Sequence, residues 1–199
     1  GRIFLDTAGR SCFELGIGGS AVGTGLNTAP GYRKRVVQNL RRFTKLPFRG
    51  AADYHEAMQS QRPMAEVSAA LRNLAVETGR IANDLRLLAS GPRTGFNEIL
   101  LPPVAPGSSI MPGKVTPTIP EMVNMVCYQV IGCDLTVSAA CGAGQLELNV
   151  MMPVIAHNVL FMIDIFSNAI AQLTNLCVRG IRANQKSCDH FLHSSLGLA

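Results

Sequence analysis

Charged side chains are scarce in the second half of this 199-residue sequence. Between Leu101 and Val178 the charged residues are Lys114, Glu121, Asp134, Glu147 and Asp164. So few charges cannot cover the surface of a monomer over that length, because soluble surfaces are built largely from charged and polar side chains. We therefore expect much of this region to be buried between subunits, and the chain to form part of a larger domain.

No apolar run in the sequence is uninterrupted over the length of a membrane-spanning helix. The most apolar stretch runs from Leu146 to Ile170, and it is interrupted by Glu147, Asn149, Pro153, His157, Asn158 and Asp164. A span needs about 20 consecutive, predominantly apolar residues. The stretch therefore predicts a helix buried on all sides by protein, and no membrane partner.

The cysteines lack the spacing of a redox or zinc motif. There are six of them, without any CxxC pair, and three lie in helix-like apolar sequence. Buried free thiols are the expected state. The chain does not open with a basic end followed by an apolar block, so no signal peptide is predicted. Both features indicate a reducing cytoplasm.

Acidic residues are absent from one basic segment, which carries much of the net charge of +5. Its cations are Arg33, Lys34, Arg35, Arg41, Arg42, Lys45 and Arg49. Apolar residues recur between them at helical spacing, at Tyr32, Val36, Val37, Leu40 and Phe43. A nucleic-acid patch is one interpretation. We favour a helix with a solvated basic face that assists the long-range attraction of small dianions, and predict no nucleic-acid partner.

The sequence also lacks long stretches in which apolar and polar residues alternate, the pattern of a β-strand. This absence favours an all-α fold, namely a long-helix bundle without an appreciable sheet. Apolar positions in steps of four and three predict a helix over 67–88. It extends back towards Asp53, which forms a capping pair with Glu56, and Pro63 kinks or interrupts it. The sequence Ser90-Gly91-Pro92 ends it.

Further helices are predicted downstream of a proline-rich connection. Two long buried helices are expected over 119–140 and 145–177, and a short one over 184–195. We divide the chain into a central helical-bundle domain over 1–182, with its N-terminal part missing, and the start of a small C-terminal helical region over 183–199.

Three apparent motifs for binding a dinucleotide, a phosphate or a metal are incomplete. Gly16 to Ala21 fits GxGxxA, but a dinucleotide fold needs repeated βα units and an acidic residue about twenty positions on. The segment from Gly107 to Lys114 imitates a phosphate loop, with five residues between its glycines where the motif has four. His190 and His193 have helical spacing, but structural zinc normally takes four ligands. We therefore predict neither a metal nor an organic cofactor.

The segment Gly107-Ser108-Ser109-Ile110-Met111-Pro112-Gly113-Lys114-Val115 is the most informative part of the sequence. Prolines on both sides forbid a continuous helix, so it must be an irregular loop, and such loops in compact proteins are often functional. It places two hydroxyls beside a glycine and a cation just before a new helix, an arrangement suited to an anion. Adjacent serines are more often simple turn residues. It is their combination with the glycine, the lysine and the following helix start that favours a functional role. Thr118 and Glu121 fit a capping box that would start that helix.

This loop resembles the signature of the fumarase and aspartase superfamily, and further blocks extend the resemblance over almost the whole chain. They are ELGIGGSAVGTGLNT at 14–28, IANDLRLLASGPR at 81–93 and AGQLELNVMMPVI at 143–155. Within the superfamily, PEMVNMVCYQVIG and AGQLELNVMMP look more like the aspartate ammonia-lyases than the class II fumarases.

The resemblance implies an oligomeric helical core, a homotetramer with active sites shared between subunits, and elimination of ammonia from L-aspartate to give fumarate. By analogy Ser108 is the general base, Ser109 and Lys114 bind the substrate, and Glu121 orients a catalytic residue. Thr116 stands where the family has a substrate-binding asparagine, so we expect affinity or specificity to differ from the family's. No metal or cofactor is implied.

Two alternatives remain open from the sequence. One is a class II fumarase, which hydrates fumarate to malate. The other is a non-catalytic fragment that retains only the helical assembly core, since the family's two earlier signature regions are missing from these 199 residues.

Overall fold

Helices carry most of the chain in its structure, a computed structural model that describes residues 2–104, 107, 110–111 and 114–195. The helices are α1 (Arg2–Ser11), α2 (Tyr32–Thr44), α3 (Tyr54–Gln59), α4 (Arg62–Leu88), α5 (Thr118–Cys141), α6 (Met152–Leu176) and α7 (Gln185–Ser194). A 3₁₀ turn follows α6 at Val178–Gly180. The predicted all-α class is confirmed.

Four two-residue strands tie the helix connections together. They are β1 (Glu14–Leu15), β2 (Arg49–Gly50), β3 (Ile99–Leu100) and β4 (Arg182–Ala183). β1 pairs in parallel with β2, and β3 pairs antiparallel with β4, with Ile99 opposite Ala183. The β3–β4 pair lies just before the proline-rich loop, so it anchors the start of that loop to the segment leading into α7.

The chain divides into two compact units. The first comprises Gly1–Leu74 and Ile131–Ile163, and the second Ala75–Val130 and Asp164–Ala199. The division into a bundle domain over 1–182 and a C-terminal region from 183 remains a proposal.

The core of the first unit is formed by α4, α5 and α6. Val137, Ala140, Ile155 and Val159 are buried there and pack against Met64 and Val67. A polar group lies in the same packing layer, where the fully buried Ser68 donates to Asp134 Oδ1 at 2.6 Å. Arg72 Nε lies 3.0 Å from the other Asp134 oxygen. A buried carboxylate with two protein partners indicates that this part of α5 is packed against protein.

The second unit has its own buried polar contact. Asn124 Nδ2 donates to the Gly79 carbonyl at 3.0 Å, and its oxygen accepts from Arg86 Nη1 at 3.2 Å. Burial raises the pKa of the Cys127 and Cys177 thiols, which keeps them protonated and poorly reactive. None of the six cysteines, all of which lie in the described part of the chain, forms a disulfide.

The predicted cap at Asp53 and the predicted interruption near Pro63 are both observed, and they divide the expected helix into α3 and α4. Asp53 Oδ1 accepts the backbone N–H groups of His55 and Glu56, which caps α3. α3 then ends at Gln59 and α4 begins at Arg62, so Pro63 lies in a first turn, where its missing N–H costs little. The interruption near Pro63 is therefore real.

The predicted start of α6 at residue 145 is wrong, because the helix begins at Met152. Gln145 and Leu148 form an isolated antiparallel bridge, and Leu146 has a positive φ of 49°. The buried Asn149 explains the delay. Its amide donates to the carbonyls of Ala140 and Cys141 at the end of α5, and its oxygen accepts from Met151 N–H at the start of α6. The sequence pattern of apolar residues does not reveal such a double cap.

Two helices are long and apolar enough to cross a membrane by length and composition alone, Thr118–Cys141 and Met152–Gly180. In the first, the contacts of Asn124 and Asp134 described above argue for packing against protein. Apolar side chains nevertheless remain exposed on both helices. In the first unit they include Leu135, Leu160, Phe161 and Ile163.

Candidate active site

Two of the predicted site residues, Ser108 and Ser109, lie outside the described residues. The structure does describe the two ends of their loop, at Gly107 and from Lys114 onward. The geometry of the candidate site is therefore that of the loop's base, of the cavity beside it and of the helix that follows.

The two ends of the loop are joined by hydrogen bonds. Gly107 N–H donates to the Lys114 carbonyl at 3.1 Å, and Lys114 N–H donates to the Met111 carbonyl at 3.2 Å. The Thr116 hydroxyl donates to the Gly107 carbonyl at 2.8 Å. We call Gly107, Lys114 and Thr116 the loop neck. These bonds hold the described residues on the two sides of the segment close together.

A cavity of about 590 Å³ lies beside the loop neck. Its lining is mainly apolar, with Lys114 as its cation: Ala89, Gly91, Pro92, Asn97, Ile99, Leu100, Leu101, Met111, Lys114, Val115 and Pro117. Lys114 is exposed and takes part in no ion pair among the described residues. A lysine free to turn towards such a cavity can hold a small anion in it.

Glu121 lies in the first turn of α5 and is half-buried. The hydrogen bonds at this helix start differ from those of the predicted capping box. Glu121 N–H donates to the Pro117 carbonyl at 3.1 Å, and the Thr118 hydroxyl donates to the Thr116 carbonyl at 3.3 Å. The Glu121 carboxylate is thus not used to cap the helix in the described residues, and it remains available for another partner.

Sequence reasoning missed a second cavity, of about 690 Å³, in the first unit. Its polar lining comes from Ser20, Asn27, Thr28 and Gln61. The glycine-rich segment that forms it follows β1 and makes turns up to α2, so the rejected dinucleotide motif lacks its helix here. The signal that could have found this cavity is the density of glycines over 16–25, of which Gly18, Gly23 and Gly25 have positive φ.

Arg33 holds that glycine-rich segment in place. Its guanidinium donates to the carbonyls of Gly18 at 3.0 Å and Gly23 at 2.7 Å, and it lies 4.1 Å from the centre of the Tyr54 ring. This arginine is therefore structural and does not belong to a solvated basic face. The predicted helix is confirmed as α2, although Val37 is buried while Phe43 is 73% exposed.

The histidine pair on α7 gains no support as a metal site. Within residues 2–104, 107, 110–111 and 114–195, no group of three or more His, Cys, Asp or Glu side chains could hold a metal ion. His190 instead lies against Phe191, with ring centres 5.5 Å apart.

Comparisons with known proteins bear on the whole chain. The family model described as Lyase matches residues 4–132. The aspartate ammonia-lyase of Helicobacter pylori (strain ATCC 700392 / 26695) is 49% identical over 185 residues, which are 93% of this chain and 40% of that protein. The mitochondrial fumarate hydratase of Dictyostelium discoideum is 49% identical over 186 residues, 94% of this chain and 38% of that protein.

Solved structures of fumarate lyases and fumarases also match the chain. A fumarate lyase:delta crystallin from Brucella melitensis, bound to cobalt, matches with a TM-score of 0.94 and 42% identity over 98% of this chain and 42% of that chain. The class II fumarase of Schistosoma mansoni matches with a TM-score of 0.93 and 33% identity. The chain thus spans about 40% of the length of the curated relatives described above.

Proposed function

This chain belongs to the lyase family of the fumarases and aspartases, and we propose that it supplies the serine loop and helical core of an enzyme that eliminates ammonia from L-aspartate. The observation that carries the proposal is that several relatives named aspartate ammonia-lyase match the chain, at 45–49% identity over 93–98% of its length. The cavity beside the loop neck, with Lys114 on its wall, supports a small anionic substrate there.

In the proposed reaction, Ser108 acts as the general base in its alkoxide form. It takes the proton from the carbon beside the substrate's β-carboxylate, and the C–H electron pair is held as a doubly charged aci-carboxylate. That pair then forms the C=C bond as the C–N bond breaks, so ammonia leaves and fumarate remains. The alkoxide ends as a hydroxyl, and neither a metal nor an organic cofactor takes part.

The physical demand on Ser108 is severe, because a serine hydroxyl is a very poor base in water. Positive potential has to stabilise the alkoxide. Backbone N–H groups of the loop and the start of α5 can supply it in a site that excludes water, each donor contributing about 3 kcal/mol in comparable oxyanion sites.

The remaining predicted residues have supporting roles in this proposal. Lys114 holds a substrate carboxylate from the cavity wall, and Ser109 adds a hydrogen bond. Thr116 is the remaining predicted substrate contact. The carboxylate of Glu121, free of a capping role, orients a catalytic residue delivered from outside the chain.

We also propose a homotetramer with shared active sites, located in the cytoplasm, with no nucleic-acid or membrane partner. Exposed apolar side chains on α5 support the assembly. Leu135 is 72% exposed and Ile131, one turn before it, is 38% exposed. Contiguous apolar surface of this kind is typical of an interaction site.

Leu135→Glu tests the assembly. A carboxylate at an exposed position costs a lone chain little, but at a subunit interface it would be buried without a partner. We expect light scattering to show a smaller species than the tetramer, with unchanged helix content by circular dichroism. Leu192→Glu on α7, where Leu192 is also exposed, is the matched control and should leave the mass unchanged. An unchanged mass for Leu135→Glu would contradict the proposed interface.

The proposed reaction is tested on the whole protein that carries this chain, by following the ultraviolet absorbance of fumarate. Aspartate should give a signal and malate should not. A signal from malate alone would replace the proposal with a fumarase, the alternative that the Dictyostelium relative favours. Silence with both substrates would leave the non-catalytic helical core as the function.

A further inference from the structure

The cavity of about 690 Å³ in the first unit has no part in the proposed lyase reaction. Its described lining comes from three segments of that unit, at 16–32, 57–61 and 148–152. A cavity of this volume can hold a small organic molecule. None of the described residues that line it carries a charge. The cavity therefore suits an uncharged ligand, because a charged one would lose water without gaining an opposite charge from this wall.

Arg33 is the cation that follows this wall in the sequence, and its guanidinium is already engaged. It donates to the carbonyls of Gly18 and Gly23 and lies over the Tyr54 ring. A carboxylate or phosphate in the cavity would have to compete with these contacts for Arg33. This arrangement also argues against an anionic ligand.

Two amide side chains in the lining have no partner. Asn27 and Gln61 line the cavity, and neither side-chain amide forms a hydrogen bond within the part of the chain that the structure describes. A primary amide carries a donor next to an acceptor. It is therefore complementary to a ligand edge that also presents a donor beside an acceptor.

The backbone that carries these two amides is held in place. The Ser20 hydroxyl donates to the Leu26 carbonyl at 2.9 Å, which fixes the peptide group that joins Leu26 to Asn27. The Gln61 carbonyl accepts from Met64 N–H at 3.0 Å. A ligand would thus have to order only the two side chains, which lowers the entropic cost of binding.

The apolar part of the wall is built on glycine backbone. A Cβ atom added at Gly18 would lie 3.2 Å from Tyr32 Cδ1, and one added at Gly19 would lie 2.6 Å from Met58 Sδ. Both side chains therefore pack directly against the glycine-rich segment. Aromatic rings and thioethers make favourable contacts with the ring of a ligand, so Tyr32 and Met58 suit a planar aromatic body.

We propose that this cavity binds a small uncharged molecule that combines a planar ring with an amide edge, as in an aromatic carboxamide. The ring packs against Tyr32 and Met58, and the amide edge bonds to Asn27 and Gln61. This binding site does not depend on the proposed lyase reaction.

The probe for the test is benzamide, titrated into the whole protein that carries this chain and followed by ligand-detected NMR. Two molecules of similar shape are compared with it. Benzoate replaces the amide with a carboxylate, and acetophenone keeps the carbonyl acceptor but has no donor. We expect benzamide to bind about fivefold more tightly than acetophenone, the equivalent of one neutral hydrogen bond, and benzoate to bind more weakly than both. Saturating fumarate should leave the Kd of benzamide unchanged.

Two variants locate the binding. Asn27→Gly removes one amide and tolerates the positive φ of 63° at this position, which alanine would not. Gln61→Met removes the other amide and keeps the length of the side chain. Each should raise the Kd of benzamide about fivefold, and the double variant should lose the preference for benzamide over acetophenone.

Gln38→Met is the matched control, because Gln38 is an exposed glutamine on α2 outside the described lining of the cavity. Its Kd for benzamide should equal that of the parent. Circular dichroism checks that all variants keep the helix content of the parent.

Four results would overturn the proposal. One is the absence of benzamide binding up to its solubility limit. Another is equal affinity for benzamide and acetophenone in the parent, which would exclude recognition of an amide edge. Displacement of benzamide by fumarate, or unchanged affinity in both Asn27→Gly and Gln61→Met, would place the binding elsewhere. Since none of these measurements uses turnover, failure of the proposed lyase function would leave their outcome unaffected.

Discussion

Ser108→Ala should lower the turnover of L-aspartate by about a thousandfold or more, in the upper part of the range for removing a general base. The alanine has no hydroxyl to ionise, so the proton on the carbon beside the β-carboxylate has no acceptor in the site. Substrate binding should change little, because Lys114 on the cavity wall still attracts the carboxylate. We therefore expect the loss in kcat and not in KM.

Ser109→Ala is the matched control for this substitution. It removes the neighbouring hydroxyl, to which we assign one hydrogen bond to substrate, and should raise KM by about fivefold to tenfold with a modest loss in kcat. The helix content of both variants should equal that of the parent, since a loop hydroxyl contributes little to the packing of α4, α5 and α6. Unchanged turnover in Ser108→Ala would remove this residue from its proposed role, and a large loss in Ser109→Ala alone would exchange the two.

The helix ends of this protein could be predicted from the sequence where residues close in sequence determine them. Asp53 caps the residues directly after it, and Pro63 is tolerated only in a first turn, so both signals depend on near neighbours. The start of α6 could not be predicted in this way. Asn149 delays it by bonding to carbonyls eight and nine residues earlier, at the end of α5, and that contact exists only once the chain has reversed direction.

Residue types in the sequence indicate a candidate site, but they do not indicate the hydrogen-bond partners of its residues. A lysine near a proline-rich loop indicates an anion site, and Lys114 does line a cavity there. The motif predicts Thr116 as a substrate contact, and the structure adds a hydrogen bond from its hydroxyl to the Gly107 carbonyl that the motif does not reveal. The donor's direction depends on the closure of the loop, which residue types alone do not specify. The same limit applies to Arg33. The charge pattern predicts that its side chain faces solvent, whereas in the fold its guanidinium donates to the carbonyls of Gly18 and Gly23.

Asn149→Ala should lower the free energy of unfolding by about 3 kcal/mol, the largest stability effect we expect from a single side chain here. The Asn149 side chain is fully buried, with 0% exposure, and makes three hydrogen bonds. Its loss leaves the buried Ala140 carbonyl without this partner, and it also removes the bonds to the Cys141 carbonyl and to the Met151 N–H, which are partly buried. The measurement is denaturant unfolding at fixed protein concentration, because an oligomer's apparent stability depends on concentration.

Asn158→Ala is the control, because Asn158 is only half-buried and its amide donates to the Val154 carbonyl of its own helix at 2.8 Å in a solvent-exposed hydrogen bond. Its free energy of unfolding should stay within about 0.5 kcal/mol of the parent. Asn149→Asp distinguishes the contribution of the amide's donor group from that of its acceptor oxygen. It keeps the acceptor for Met151 N–H but turns a carboxylate oxygen towards two carbonyl oxygens, so it should destabilise at least as much as alanine. If the aspartate variant were instead as stable as the parent, the bonds to Ala140 and Cys141 would contribute nothing, and Asn149 would act only as the cap of α6.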